Sequence, residues 1–327
     1  MKRLLRAGRQ LLPRMVGGVV CLSLLPALAL AQTSENSAAA PDTVQGWRRG
    51  GVGTLNFSQV SLSNWAPGGQ SSLSLLGIGN VFLHNRRGHN TFDTSLDVVY
   101  GSLKAGKARI RKSDDRLELN AKYGRQFTKV LYYAAQANVK TQLTPTTALE
   151  KPDSLLSRFF APAYILTSIG IDYKPNDQLS VFLSPITGKF TVVADQTLAD
   201  AGAFGVEPAE RTADGQVVRG TGQRFRQELG AYLNVKYRRP IWENVTFQSK
   251  LDLFSNYLHS PGNIDVNWET LVSFKVNRFI SSSIATTLVY DDDVLTPVDR
   301  NDDGVPDSRG RRVQFKETLG IGLTYRF

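Results

Sequence analysis

The sequence predicts an all-β protein: a transmembrane antiparallel β-barrel of about 12 strands, within a range of 10 to 14, with both termini on the periplasmic side of an outer membrane. Three observations predict it. Apolar and polar residues alternate with a period of two along most of the chain, as the two faces of a strand require. The chain opens with a basic and then apolar segment of the kind that directs export. The connections between alternating segments are short and long in turn, the pattern of barrels with tight periplasmic turns and longer outer loops.

Residues 1–31 carry Lys2, Arg3, Arg6, Arg9 and Arg14, no acidic residue, and the run MVGGVVCLSLLPALALA, which ends on the small residues Ala29 and Ala31. This predicts a secretory signal peptide cut after Ala31; the apolar run is short for a spanning helix and contains Pro26. The single cysteine, Cys21, lies inside it, so the mature chain has no thiol for disulfides or metal. Gly18, not Leu, stands three residues before Cys21, a poor match to lipoprotein processing. Removing the leader leaves 34 Lys and Arg against 29 Asp and Glu, a formal +5 instead of +10. That balance, export, and the absence of Walker, zinc or RNP-type motifs argue against a nucleic-acid partner. Residues 32–46, QTSENSAAAPDTVQG, are small and polar and predict a flexible periplasmic lead-in.

Strands are expected near 51–60, 71–84, 90–102, 115–126, 131–142, 162–174, 178–193, 224–238, 243–257, 265–277, 280–290 and 313–327. In the third, Phe92, Leu96, Val98 and Tyr100 face away from Asp93, Ser95 and Asp97. In the fourth, Leu117, Leu119, Ala121 and Tyr123 oppose Arg116, Glu118, Asn120 and Lys122. The fifth sets Tyr133, Ala135, Ala137 and Val139 against Gln136, Asn138 and Lys140. Leu229, Leu233, Val235 and Tyr237 oppose Glu228, Asn234 and Lys236 in the eighth. The ninth places Val245, Phe247, Leu251 and Leu253 against Gln248, Lys250 and Asp252. The tenth has Trp268, Val272 and Phe274 against Glu269, Ser273 and Lys275. The last strand carries Val313, Phe315, Leu319, Ile321, Leu323, Tyr325 and Phe327 on one face. No helical period follows the leader, and a hairpin within 184–223 would raise the count to fourteen.

A soluble sandwich also alternates. Here the polar faces are rich in charge, many of the strands reach ten residues or more, enough to cross a tilted path through a bilayer, and aromatics (Phe92, Tyr100, Tyr123, Tyr237, Tyr257, Tyr290, Tyr325, Phe327) gather near strand ends as interfacial girdles do. NRRG, RQFTK, KPNDQ, RRPIWEN and NRF are the short connections. NWAPGGQ, LKAGKARIRKSDD, TPTTALEKPDSLLSRF, the stretch from Ser184 to Gln223, LHSPGN and DDDVLTPVDRNDDGVPDSRGRR are the long ones. A closed barrel must also pair its last strand with its first. Leu319, Ile321, Leu323, Tyr325 and Phe327 resemble the C-terminal signal read by the barrel assembly machinery, which is therefore an expected partner.

The segments NWAPGGQSSLS, YGSLK, RKSDDRLELNAKYG, KTQ, APAY, SPITGK, VYDDD and QFKETLGIGLTYRF, in that order, resemble the domain-of-unknown-function family DUF3078, a set of predicted bacterial outer-membrane proteins. The resemblance runs from about Trp47 to Phe327. It implies the address and the barrel, and it brings no activity and no catalytic residue.

For function, the polar faces carry both signs (Asp93, Asp97, Arg116, Glu118, Lys122, Lys140, Glu228, Lys236, Lys250, Asp252, Glu269, Lys275), which predicts paired charges lining a structural barrel or small-solute channel. An outer-membrane hydrolase acting on lipid or peptide is the alternative, with His259 and Ser260 near Asp291, Asp292 and Asp293 as its material; His84 and His89 flank a short turn and are read as turn and interface residues. Asp299, Asn301, Asp303, the Val305 carbonyl and Asp307 have the oxygen spacing of a calcium loop, although Gly310 stands where such loops carry a bidentate glutamate. No other cofactor is expected. The basic stretch 104–112, KAGKARIRK, suits contact with lipopolysaccharide phosphates on the outer leaflet. Nothing in the pattern fixes a substrate, an oligomeric state or a protein partner beyond the membrane lipid and the assembly machinery.

If Phe327 serves recognition more than stability, where its ring contributes about 1 to 3 kcal/mol, deleting it should sharply lower outer-membrane levels in cells. The same variant refolded into detergent should still run as a heat-modifiable barrel on gels; normal cellular assembly would remove the recognition role.

Overall fold

In a computed structural model the described residues, 45–61, 71–147, 154–293, 296–298 and 308–327, form one closed antiparallel barrel. Its elements in chain order are β1 (Gly46–Val60), β2 (Ser72–Arg87), β3 (Asn90–Ala105), β4 (Arg111–Gln126), β5 (Leu131–Thr141), β6 (Thr146–Thr147), β7 (Leu155–Ser157), β8 (Ala163–Asn176), β9 (Leu179–Val192), α1 (Gln196–Asp200), β10 (Phe225–Trp242), β11 (Val245–Asn256), β12 (Ile264–Lys275), β13 (Ile280–Tyr290), β14 (Thr296–Val298), β15 (Ser308–Gly310) and β16 (Gln314–Arg326). Twelve strands make the wall, in the order β1, β2, β3, β4, β5, β8, β9, β10, β11, β12, β13, β16 and back to β1. β6 with β7 and β14 with β15 are small ladders within connections. The predicted count holds: 184–223 adds no pair of strands to the wall, and it contains the five-residue helix α1 and a small antiparallel bridge between Arg211 and Val217.

Several strands run past their predicted ends. β2 reaches Arg87, β3 reaches Ala105, β4 starts at Arg111, and β10 continues to Trp242, leaving only residues 243–244 to turn into β11. Polar residues do not end a strand while ladder partners remain, so the long basic loop shrinks to residues 106–110 and the wall is taller than the bilayer requires. β1 starts at Gly46, the last residue of the expected lead-in; the signal peptide and the rest of that lead-in lie outside the described residues.

The alternation resolves into an apolar exterior and a polar interior, the inverse of a soluble core. Leu119, Ile169, Leu183, Leu319, Ile321 and Leu323 are exposed on the outside, while Asp114, Arg116 and Glu118 of β4 are buried within. Near the short turns an aromatic band includes Trp47 with Phe92 edge-on at 6.4 Å and Phe127 stacked on Tyr133 at 4.2 Å. Tyr100, Phe225, Tyr257 and Phe315 stand exposed near the long connections.

One bulge shows how the wall accommodates a residue that cannot donate. The register of β9 against both β8 and β10 shifts around Pro185, as expected where a proline enters a ladder. Ser184, fully buried, donates its hydroxyl towards the carbonyls of Ile169 at 2.8 Å and Ile186 at 2.9 Å. Across the bulge Gly170 must be glycine, because a Cβ there would lie 2.0 Å from the Leu183 carbonyl.

Leu119 lies midway along β4 on the lipid face. Leu119→Arg should therefore destabilise the refolded barrel by about 2 to 4 kcal/mol, measured by denaturant titration in lipid vesicles. A cost near zero would mean that this face does not meet hydrocarbon.

Candidate functional site

The inward faces of the strands stack into three tiers. At the short-turn end His84 and Asp93, opposite each other on β2 and β3, are hydrogen-bonded. Asp172 of β8 is buried and receives Lys122 from β4 at 2.5 Å and Lys174 at 3.4 Å. The Lys122 ammonium also lies 4.6 Å from the ring centre of Phe182. Phe182 belongs to a small apolar cluster with Ala134, Tyr232 and Phe254.

The middle tier is a belt of amides and carboxylates. Asn80 donates to Asp97 at 2.6 Å, Asn138 to Glu118 at 2.9 Å, Asn234 to Asp252 at 2.7 Å, and Asn267 to Glu269 at 3.1 Å. Tyr232 adds its hydroxyl to Asp252 at 2.5 Å. Lys250 of β11 lies 3.4 Å from Asp252 on its own strand and 3.8 Å from Glu118 of β4. β4 and β11 stand five places apart around a ring of twelve, so this contact crosses the lumen. Two charges held across an interior in this way form a constriction.

The third tier lies under the long connections. Lys189 of β9 reaches Asp265 of β12 at 2.7 Å, Glu228 at 3.6 Å and Asp291 at 3.7 Å. Lys316 of β16 reaches Asp114 of β4 at 3.4 Å. Arg226 pairs with Glu228 at 3.0 Å, with Asp293 after β13, and donates to the Gly205 carbonyl at 3.2 Å. Through that last bond the connection 193–224 is tied to the barrel mouth. Its own packing joins Val193, Leu198, Ala199 and Val206 to Ala161. Asp195 caps α1 and pairs with Arg158 at 3.1 Å. Asp200 accepts the amides of Gly220 at 2.8 Å and Gly222 at 3.0 Å.

The predicted lumen charges are thus inward, and the structure brings several of them together. Sequence reasoning missed the pairing across the lumen and the part played by His84, which was assigned to a turn because β2 was ended there; with β2 continuing to Arg87, His84 falls on the inward parity and meets Asp93. It also placed Lys112 on an outward basic loop, whereas Lys112 turns inward to Asp115 at 2.7 Å and the Thr144 carbonyl at 2.8 Å. Ile110, Lys107 and Arg109 remain exposed.

Four of the five hydrolase residues gather: His259, Ser260, Asp292 and Asp293 line one recess with Asn263 and Asp265, while Asp291 pairs with Lys189 instead. That recess holds about 10 Å³, too little for a substrate. Asp292 is engaged by Asn263 at 2.6 Å and Arg311 at 3.2 Å, Asp293 by Arg226, and among the described residues no hydrogen bond joins the His259 ring to Ser260 or to a carboxylate. The calcium-loop residues Asp299, Asn301, Asp303, Val305 and Asp307 lie outside the described residues, and among the described residues no cluster of His, Cys, Asp and Glu could hold a metal. Leu319, Ile321, Leu323, Tyr325 and Phe327 all point outward, with Tyr325 stacked on Phe327 at 6.4 Å.

Residues 57–146 match the family described as "Protein of unknown function (DUF3078)", a narrower span than the resemblance covers. No curated protein matches the chain. Among solved structures, an outer-membrane channel from Pseudomonas putida F1 is 13% identical, with 90% of this chain and 99% of that one covered and a TM-score of 0.40. The translocator domain of the autotransporter NalP from Neisseria meningitidis is 10% identical, with 89% and 92% covered and a TM-score of 0.37. The toluene transporter TbuX from Ralstonia pickettii is 9% identical, with 86% and 89% covered and a TM-score of 0.31. At such scores the likeness carries no argument about what passes through this barrel.

The Asp200 carboxyl is held below its ordinary range, first by the Gly220 amide and then by Gln196. A depressed carboxyl stabilises the connection fully above the unfolded value of about 4 and loses that effect as pH falls through the folded value. Asp200→Asn should therefore quicken trypsin cleavage at exposed Arg219 at neutral pH. With pepsin, the difference between parent and variant should shrink in strong acid; a pH-independent difference would assign the effect to shape alone.

Proposed function

We propose that this protein is an outer-membrane channel for small solutes, exported by its N-terminal signal and oriented with its short turns in the periplasm. The observation that supports it is the interior: a lumen lined by amides and by charges of both signs, the polar lining that water-filled barrels carry. Mixed signs favour weak ionic selectivity. The contact of Glu118 with Lys250 sets the width of the path, and the mouth is partly covered by the connection that Arg226 ties down.

Passage requires Lys250 to leave Glu118. It keeps Asp252 as an alternative partner on its own strand, 3.4 Å away, so the movement does not strand an unpaired charge in the lumen. Calcium bound at 299–307 and lipopolysaccharide at the exposed part of 104–112 would be accessory contacts of the outer surface. The hydrolase alternative draws no support from so small a recess.

Planar-bilayer recordings test the channel. The parent should give small, stepwise currents at high salt, and Glu118→Ala/Lys250→Ala should raise the unitary conductance at least twofold while remaining heat-modifiable. A silent parent and a silent double variant, both folded, would leave a structural barrel.

A further inference from the structure

The wall is not equally closed all round. Neighbouring barrel strands are paired over most of their length, β1 with β2 from Gly46 opposite Arg86 to Val60 opposite Ser72, and β13 with β16 from Ile280 opposite Leu323 to Val289 opposite Gln314. The closing seam is short. β1 and β16 pair only from Val52 opposite Arg326 to Asn56 opposite Gly322, extended at one end by the Gly51 and Phe327 backbones. Beyond Asn56, residues 57–60 of β1 and 314–321 of β16 have no ladder partner across the seam among the described residues. The last rung is tight, since a Cβ at Gly322 would lie 2.0 Å from the Asn56 side-chain oxygen; two residues on, a Cβ at Gly320 would meet nothing nearer than 3.5 Å. The strands part there.

A cavity of about 280 Å³ lies at that parting. This is close to the lower end of the ~300–1,000 Å³ range of small-ligand sites. Its inner lining combines Asn56, Ser283 and Thr318 with Leu76, Ile78 and Leu271, and none of its lining residues is charged. The rest of the lumen carries charge in every tier. The cavity is also lined by Phe57, Leu319 and Ile321, which are exposed on the lipid face, so it joins the lumen to the outside through the wall. Open sheet edges are not tolerated against hydrocarbon unless they border a polar cavity.

We infer that the β1 and β16 seam is a lateral portal and binding site for an uncharged amphiphile drawn from the bilayer, its apolar part against Leu76, Ile78 and Leu271 and its hydroxyl or amide group against Asn56, Ser283 and Thr318. This deepens the channel reading, on which it rests for a solute path, by naming a substrate class. A strand from a second copy would satisfy the same edges but would have no use for the cavity behind them. Charged solutes would find no partner there, whereas an amphiphile matches both halves of the lining.

The test uses the refolded barrel with Cys21→Ser and one introduced thiol, Ser283→Cys, in phosphatidylcholine vesicles. Pyrene maleimide delivered in the lipid should label that thiol at least tenfold faster than in the same chain carrying Gly320→Phe, which fills the cavity; Thr318→Met serves as the filling variant if Gly320→Phe does not give a heat-modifiable band. Lipid-side rates within twofold of each other in open and filled barrels would overturn the portal. A disulfide-linked dimer formed by Phe57→Cys chains, with the lipid reagent excluded, would also overturn it and assign the seam to a second copy. Fast lipid-side labelling in a barrel that gives no current would keep the portal and remove the aqueous channel, and currents with equal labelling would do the reverse.

Discussion

Backbone hydrogen bonding in a medium without water is the constraint on which the rest of the structure depends. Each unpaired amide or carbonyl facing hydrocarbon costs several kcal/mol, so a chain that crosses a membrane with strands must return to its own beginning. Here the return is made by the pairing of β16 with β1, from Val52 opposite Arg326 to Asn56 opposite Gly322, extended by the amide and carbonyl of Phe327 on Gly51. Once the ring closes, the side-chain parity of every strand is fixed, because slipping one residue would carry an entire charged face into lipid. The bulge at Pro185 and its repair by Ser184 show the same requirement met locally.

Closure also decides what the interior can contain. Side chains such as Glu118 and Glu269 are almost wholly buried, and burying a carboxylate is tolerable only with partners. The barrel supplies them twice over, from adjacent strands through the asparagine belt and from distant strands through lysines. The second kind spans the lumen and narrows it. Because Glu118 keeps Arg116 and Asn138, and Lys250 keeps Asp252, losing the one contact across the lumen leaves neither charge uncompensated.

The wall divides by chemistry. Strands β3 to β5 and β8 to β12 carry most of the charged tiers, joined by His84 of β2 and Lys316 of β16, while β13, β16, β1 and β2 present mostly small, hydroxylated and aliphatic residues to the cavity at the seam. The connection 193–224 is tied to the charged side by Arg226. One barrel thus combines a charged, amide-lined interior with an uncharged pocket in its side.

By itself the sequence determined the barrel, the twelve strands and the facing of nearly every residue in them, because a period of two is a local property visible in runs such as Arg116 to Tyr123. Strand ends were less legible: polar residues at Lys104 or Arg239 look like loop, yet ladder partners keep them extended. That error hid the inward turns of His84 and Lys112. Only the tertiary structure decided which inward residues meet. Glu118 and Lys250 are far apart in the chain and on nearly opposite walls, and their contact depends on the radius and stagger of the closed ring. The incomplete seam was hidden for the same reason: alternation shows that residues 57–60 and 314–321 belong to strands, but where two strands stop pairing is set by how the whole ring closes.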